Sequence, residues 1–438
     1  MKPKSRYRWF VVAIFFAFML LHQSDKLLIG PLTTPIMETF GIDEVQMGAV
    51  FTGALLVSAI LYPIWGYLYD RFARSKLLAL ASFVWGCTTW LSAIAPSYQF
   101  FLVSRASTGV DDSSYPGIYS LISDYFGPEL RGKVYGLLQL SQPLGYMLGL
   151  IVATFLAASI GWRGIFYITG SLGLLLAVVI FFGVKDPPRG QSEPEMEDLD
   201  KIGVYKFDGK VALGLFRKKS FIFLVLQGFV GVFPWNVITY WFFRYLETER
   251  FYSADEVFMT MAPAVLVLAS GYFVGGALGD MAFKRSPRGR VLVSLVGVIL
   301  GAFFLVITMN VPIENQIFFL VMLMFTALFI PFASPNVIST VYDITLPEVR
   351  STALSIQYFI ENAGAALAPL LAGIIASNSS LHNAILIICV VAWILDAIFF
   401  AVTAYLVPVD IRTLRKQMSE RAEFERQRES DEQVATTM

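Results

Sequence analysis

Charged side chains interrupt segments that are otherwise apolar, and these are the residues that could do chemistry. Asp25 and Lys26 follow His22 by three and four positions, and Arg105 precedes Asp112 by seven. Positions three, four or seven apart share one face of a helix, so each set is expected to converge. A carboxylate beside an arginine stays ionised, and its pKa rises when the arginine turns to another anion. The spacing therefore predicts a coupled acid–base site, formed by Asp25, Arg105 and Asp112.

The composition places these charges in a membrane. Of the 438 residues, 56% are hydrophobic and 15% are charged, against about 45–50% and 25% in soluble proteins. A charged side chain inside a span costs roughly 2.5–3.5 kcal/mol, so it normally faces a bundle interior or a water-filled cavity. The same search adds Arg244 and Glu361. In an ideal helix Asp111 is rotated by about 100° from the face of Asp112, so it is expected to point elsewhere.

Other global features exclude several classes of protein. The net charge is zero, so no basic field is available for nucleic acid. Cys87 and Cys389 are far apart, and the two histidines cannot build a metal site. No phosphate-binding loop (GxxxxGK followed by Ser or Thr), no HExxH and no Ser/His/Asp set is present. We expect neither an enzyme nor a protein that uses a metal or an organic cofactor.

Twelve segments are long and apolar enough to cross a bilayer, which takes about 20 residues each. They predict an all-α polytopic membrane protein with a six-helix bundle over 1–184, a cytoplasmic connector over 185–219, a second six-helix bundle over 220–407 and a cytoplasmic tail over 408–438. The spans are predicted at 9–30, 44–69, 76–95, 99–125, 134–158, 164–184, 220–246, 256–279, 290–310, 316–342, 352–377 and 383–407.

Basic residues set the orientation, because cytoplasmic loops carry an excess of Lys and Arg. Of the 33 lysines and arginines, only Arg163 and Arg250 fall in loops expected on the outside. This distribution predicts that both termini and the central connector are cytoplasmic, in a multi-pass protein of the cell (inner or plasma) membrane.

The two halves of the sequence resemble each other. The segment 100–103 recurs 218 residues later as 318–321, and Asp124 with its following Pro-Glu-x-Arg recurs 219 residues later at Asp343. Parallel repeats of this kind place a binding site near the midplane between the halves, which then rock to give alternating access. Ser253 and Glu256 also have the spacing of a helix capping box.

A loop motif formed by Gly66, Asp70, Arg71 and Arg74 recurs in weaker form in the second half as Gly276, Asp280, Lys284 and Arg285. This doubled motif resembles the signature of the major facilitator superfamily. The resemblance implies a cytoplasmic gate in which the two loops pair with acids at the ends of helices 4 and 10. The gate residues of the first half would be Gly66, Asp70, Arg71, Arg74 and Asp124, and those of the second half Gly276, Asp280, Lys284, Arg285 and Asp343.

Within the superfamily, Asp25-Lys26 and the segments 105–115, 161–170 and 349–357 resemble the spinster branch, which carries lysophospholipids and sphingosine phosphate. The resemblance implies that helices 1 and 4 line a central cavity. The substrate and proton-coupling residues would be Asp25, Arg105, Asp112, His22, Lys26, Glu361 and Arg244, whereas Asp396 on an outer helix would be structural.

The predicted function is a monomeric, proton-coupled carrier for an anionic, amphiphilic organic solute or a lysolipid. Tyr115-Pro116-Gly117 also resembles the organic anion:cation symporters, so a symporter for a small carboxylate or sugar acid remains an alternative. A facilitative uniporter and a lipid scramblase built on the same bundle remain open too. Accumulation of solute against its gradient would separate a coupled carrier from the last two.

Overall fold

The computed structural model describes residues 5–29, 32–42, 44–196 and 208–437, and these residues form helices joined by short turns, without a strand. The helices before residue 208 are α1 (Ser5–Leu28), α2 (Thr33–Phe40), α3 (Glu44–Arg71), α4 (Arg74–Ile94), α5 (Tyr98–Ala106), α6 (Gly109–Asp112), α7 (Tyr115–Ser123), α8 (Pro128–Gln139) and α9 (Ser141–Gly183). Those after it are α10 (Gly209–Gly214), α11 (Lys219–Thr248), α12 (Ala254–Arg285), α13 (Gly289–Met309), α14 (Gln316–Phe329), α15 (Ala333–Asp343), α16 (Arg350–Asn378) and α17 (Leu381–Thr437).

The contacts divide the chain into two compact units. Unit 1 comprises 1–126, 141–208 and 347–355, and unit 2 comprises 127–140, 209–346 and 356–438. Each unit is therefore built mainly from one half of the sequence and takes one short segment from the other half.

Unit 1 is organised around α9, which packs against α1 and α4. The α4–α9 contact is close because glycines face each other: a Cβ built on Gly173 would lie 3.0 Å from the Cα of Gly86. Small residues permit such approaches between helices in lipid, where packing rather than the hydrophobic effect drives association. Gly161, with φ of 69°, breaks α9 between the two predicted spans that the helix contains.

The fourth predicted span, 99–125, is three short helices rather than one. The amides of Thr108, Asp111, Ser114 and Gly117 each bond a carbonyl three residues back, which tightens the turn between α5, α6 and α7. Pro116 lacks an N–H, and the Thr108 hydroxyl bonds the Arg105 carbonyl, so local side chains compete with the α-helical ladder. The predicted span therefore stays helical, with tightened turns at Ser107–Thr108 and Ser113–Ser114.

Unit 2 packs α11 against α17 and gathers α12, α13 and α14 around one another. The predicted capping box is confirmed, since Ser253 and Glu256 bond each other's backbone amides at the start of α12. The twelfth span does not end at 407: α17 continues through Pro408 to Thr437. The tail predicted over 408–438 therefore extends the last helix as far as the chain is described.

Eight helical segments in the described part of the chain are long and apolar enough to cross a membrane by themselves. Of the four other predicted spans, 44–69 and 352–377 correspond to the long helices α3 and α16. Span 99–125 is split into α5, α6 and α7, and span 134–158 covers α8 and the first part of α9.

The α4–α9 contact provides a stability test. Gly86→Ala would place a methyl group 2.7 Å from the Leu174 amide nitrogen and 2.8 Å from the Gly170 carbonyl oxygen. Overpacking of this kind costs about 1–3 kcal/mol, so we expect a lower thermal unfolding midpoint of the purified protein. Gly214→Ala in α10 is the matched control, because its Cβ meets no atom within 4 Å. Equal midpoints for the two variants would contradict the packing described.

Candidate functional site

Asp25 is the centre of a buried polar site in unit 1. Its Oδ1 accepts a hydrogen bond of 2.6 Å from the Thr169 hydroxyl. Its Oδ2 accepts bonds from Trp85 Nε1 at 3.2 Å and from the Thr89 hydroxyl at 3.3 Å. These three donors come from α4 and α9, far from Asp25 in sequence, and charge spacing alone does not point to them.

Arg105 completes this site from α5. Its Nη1 lies 3.2 Å from Asp25 Oδ2, and its guanidinium lies over the Phe166 ring at 5.1 Å. The Nε of Arg105 is buried and has no hydrogen-bond partner among the described residues. An arginine offers five N–H donors in a planar fork, so this single contact with Asp25 leaves donor capacity for a second anion.

His22 forms a second buried pair beside the first. Its Nε2 lies 2.7 Å from Asp111 Oδ2, and its Nδ1 lies 2.7 Å from the Tyr115 hydroxyl. The ring edge of Trp85 packs against His22 while its indole nitrogen bonds Asp25. Trp85 thus connects the two pairs through one rigid side chain.

The position of Asp111 differs from the ideal-helix expectation. The sequence pointed Asp111 away from the site and Asp112 into it, yet Asp111 is fully buried against His22. The reason is the broken helix: the tightened turns between α5, α6 and α7 do not keep the rotation of 100° per residue. The side chain of Asp112 lies outside the described residues, so its predicted role stays a prediction.

The other predicted substrate residues are dispersed. Lys26 is half-buried on α1. Glu361 belongs to unit 2, where its Oε1 accepts a bond of 2.8 Å from Gln357 Nε2. The side chain of Arg244 lies outside the described residues. The described contacts therefore bring together Asp25 and Arg105, with His22 alongside, and place Glu361 in the other unit.

A second charged cluster lies in unit 1 around Arg74, the first residue of α4. This arginine is 1% exposed, with Nη1 2.5 Å from Asp124 and Nη2 2.7 Å from Asp186. Arg350, from the segment that unit 1 takes from the second half, pairs with Glu193 and lies 3.7 Å from Asp124. The cluster therefore joins residues from both halves of the sequence.

Asp70 caps the start of α16 within the same unit. It accepts hydrogen bonds from the backbone amides of Ser351 at 3.0 Å and Thr352 at 2.6 Å. The first amides of a helix lack internal partners and carry partial positive charge, so a carboxylate is favourable there. Gly66 permits the approach, because a Cβ at that position would lie 2.5 Å from Ser355 Oγ.

Arg189, in the connector, also contacts this cluster. Its Nη1 lies 3.7 Å from Asp70. Burial lowers the pKa of the Arg189 guanidinium, the neighbouring Arg74 lowers it further, and the acids Asp70, Asp124 and Asp186 raise it. The acids of the cluster therefore offset part of the cost of placing the partly buried Arg189 beside the buried Arg74.

Unit 2 contains an equivalent cluster, in which an acid of the second half bonds a segment taken from the first half. Asp280 accepts bonds from the amides of Gly132 at 3.0 Å and Lys133 at 2.8 Å, near the start of α8. Arg290 lies 2.8 Å from Asp280 and also pairs with Asp343. Arg131, from the segment taken from the first half, lies 3.8 Å from Asp343.

The repeat corrects one assignment. The sequence listed Lys284 and Arg285 among the gate residues of the second half, but the buried arginine of the unit 2 cluster is Arg290, the second residue of α13, as Arg74 is the first residue of α4. Lys284 is exposed and pairs with Glu129, and Arg71 is exposed and contacts the Tyr67 hydroxyl. Arg290 was missed because loop motifs were matched by residue type, although its position at a helix start could have found it.

These features define a class of protein. Apolar helices in a duplicated sequence, with the buried Asp25–Arg105 pair among them and matching charge clusters in the two units, describe a polytopic membrane transporter. The model of the Major Facilitator Superfamily matches residues 14–313 and 289–429. The chain belongs to this superfamily, and the predicted fold of twelve membrane helices in two six-helix repeats is confirmed.

The relatives confirm the resemblance to the spinster branch. The chain is 28% identical over 390 residues to protein spinster of Drosophila melanogaster, covering 86% of this chain and 63% of the length of that relative. It is 24% identical over 433 residues to the sphingosine-1-phosphate transporter SPNS2 of Danio rerio, covering 92% and 85%. A crystal structure of a bacterial homologue of the human lysosomal transporter Spinster matches with TM-score 0.57 and 20% identity, covering 94% and 99%.

The Arg74 cluster yields a prediction on stability. Arg74→Ala leaves Asp124 and Asp186 without their main partner, and breaking a buried ion pair costs about 3–5 kcal/mol. We expect a clear fall in the thermal unfolding midpoint, measured on the full-length protein in detergent. Arg71→Ala is the control, since this neighbouring arginine is exposed, and an equal fall in both variants would contradict the prediction.

Proposed function

We propose that this chain is a secondary active carrier that couples the movement of an organic anion to a proton gradient. Its preferred solute is an amphiphilic anion such as a lysophospholipid. The family establishes a major facilitator transporter, and the anion specificity rests on the Asp25–Arg105 site. The observation that carries the proposal is a buried arginine held by one carboxylate through one nitrogen.

The chemistry of Arg105 favours an anionic headgroup. A guanidinium binds phosphate and carboxylate through two parallel hydrogen bonds, and this geometry is available to Arg105 beyond its contact with Asp25. An arriving anion would compete with Asp25 for the guanidinium. In the absence of solute, Asp25 supplies the counter-charge that an arginine in a membrane requires.

Two facts support an amphiphilic solute over a small one. Aromatic rings surround the charged pair, with Phe166 over Arg105 and Trp85 beside Asp25. The relative in Danio rerio is named as a transporter of sphingosine 1-phosphate, which joins a phosphate to a long chain. A phosphate on an acyl or sphingoid chain satisfies both the cation and the apolar walls.

The two charge clusters, around Arg74 in unit 1 and around Arg290 in unit 2, support alternating access. Asp70 binds the start of α16 and Asp280 binds the start of α8, so each unit holds a segment of the opposite half through bonds to backbone amides. Rocking of one half against the other would have to break these bonds and remake them. We propose that the clusters form a gate with two stable arrangements.

The anion site can be tested by transport. Arg105→Ala, Asp25→Asn and wild type would be reconstituted in liposomes and given radiolabelled lysophosphatidic acid under an imposed pH gradient. Removing one partner of a buried charge pair costs about 2–5 kcal/mol, so we expect at least about 30-fold weaker uptake in Arg105→Ala. Arg71→Ala, at an exposed position, serves as the control.

Each outcome of this experiment is informative. Accumulation that a protonophore abolishes supports a proton-coupled carrier of a lysophospholipid. Uptake of radiolabelled succinate but not of the lysolipid would replace the amphiphilic solute by a small carboxylate. Movement down the gradient only would indicate a uniporter or scramblase, and wild-type rates in both site variants would refute the site.

The gate can be tested without any solute. Asp70→Ala removes the acceptor of the Ser351 and Thr352 amides, so we expect the population of conformations to shift. Distances between spin labels on the cytoplasmic ends of the two halves would report the shift by electron paramagnetic resonance. Arg71→Ala is again the control, and an unchanged distance distribution in Asp70→Ala would show that Asp70 does not hold the gate.

A further inference from the structure

A second buried polar cluster lies in unit 2, where α11, α16 and α17 meet. Gln357 Nε2 donates to Glu361 Oε1 at 2.8 Å and to the Leu224 carbonyl at 3.0 Å. The Gln227 side chain donates a hydrogen bond to the carboxylate of Asp396. We call Gln227, Gln357, Glu361 and Asp396 the carboxyl–amide cluster.

Two glycines of α11 make room for the carboxylates. A Cβ built on Gly228 would lie 2.9 Å from Glu361 Oε1, and one built on Gly231 would lie 3.2 Å from Asp396 Oδ2. Positions three apart lie on the same helix face, about 4.5 Å apart along the axis. Both acids therefore face the same side of α11, one turn apart.

The cluster is rich in acceptors and poor in positive charge. Asp396 is 1% exposed, and its Oδ1 has no hydrogen-bond donor among the described residues. The amide oxygens of Gln227 and Gln357 are likewise buried and accept no bond from that part of the chain. No described lysine, arginine or histidine pairs with Glu361 or Asp396.

The charged groups of the surrounding helices lie elsewhere along them. Arg244 on α11 is 13 residues beyond Gly231, which is about 20 Å of helix. Asp410 on α17 is bonded to Ser220, and Arg290 on α13 is held by Asp280 and Asp343. Charged or titratable groups near the ends of α11, α16 and α17 include Lys219, Glu247, Arg350 and His382, and Tyr358 on α16 and Cys389 on α17 lie closer to the cluster in sequence.

We propose that the carboxyl–amide cluster binds the proton that the carrier couples to its solute. This inference rests on the proposed function and assigns proton binding to unit 2 and anion binding to unit 1. Two acids inside a membrane span need a positive partner, and a bound proton supplies it where no basic side chain does.

The glutamines suit a proton that comes and goes. An amide can donate N–H to an ionised carboxylate and, after rotation, accept the O–H of a protonated one through its carbonyl. It satisfies both states without moving a charge. Asp25 differs, because Arg105 and three neutral donors already stabilise its negative charge.

Infrared difference spectroscopy tests proton binding directly. Full-length protein in liposomes, without solute, would be compared between mildly alkaline and mildly acid pH. The carbonyl stretch of a buried protonated carboxyl is expected in wild type and is expected to be reduced in Glu361→Gln and Asp396→Asn, which preserve side-chain size. Asp25→Asn and the exposed Glu129→Gln are controls and are expected to retain it.

The outcomes separate this proposal from the proposed function. Loss of the band in the cluster variants supports proton binding there, whatever solute is transported. A band retained in both variants, or lost in Asp25→Asn instead, would overturn it. Replacement of the bound proton by added sodium would also overturn it in favour of a sodium site.

The same variants can be followed in transport with labelled lysophosphatidic acid. Glu361→Gln is expected to keep exchange of solute at equal concentrations while losing at least about tenfold of the accumulation driven by a pH gradient, which corresponds to about 1.4 kcal/mol of coupling. Equal losses of exchange and accumulation would indicate a merely structural role. Retention of both would also overturn the proposal.

Discussion

The cost of burying charge governs this molecule. Three buried arginines each lie against an acid: Arg105 against Asp25, Arg74 against Asp124 and Asp186, and Arg290 against Asp280 and Asp343. Breaking such a pair costs several kcal/mol because it leaves an uncompensated charge. The helices that carry the partners are thereby fixed relative to one another within each unit, and a solute that brings its own charge can exchange with a partner.

Backbone amides extend the same principle at helix starts. Asp70 and Asp280 each satisfy two amides near the start of a helix, and in each unit that helix segment comes from the opposite half of the sequence. The repeated motif therefore supplies a carboxylate to unpaired helix-start amides in both units. It gives the two units equivalent contacts to helix-start amides.

Hydropathy, charge asymmetry and repeats predicted the fold class, because these signals are local and summed over many residues, and the loop motifs carried the resemblance to the family. The capping box of α12 was predictable for the same reason. The tightened turns of the fourth span were not predictable in this way, because they depend on Pro116 and on hydroxyls such as that of Thr108, which bonds a backbone carbonyl three residues back. Arg290 escaped prediction because residue type was weighed above position at a helix start.

The sequence by itself determined that the chain lies in a membrane, that it is duplicated, and which charges are costly enough to need partners. The tertiary structure decided who those partners are. Asp25 contacts Arg105, which is 80 residues away in sequence, and Thr169, which is 144 residues away. Asp111, which ideal helix periodicity pointed elsewhere, contacts His22. Periodicity reports only the face of a helix, whereas pairing depends on how separate helices pack and where they break.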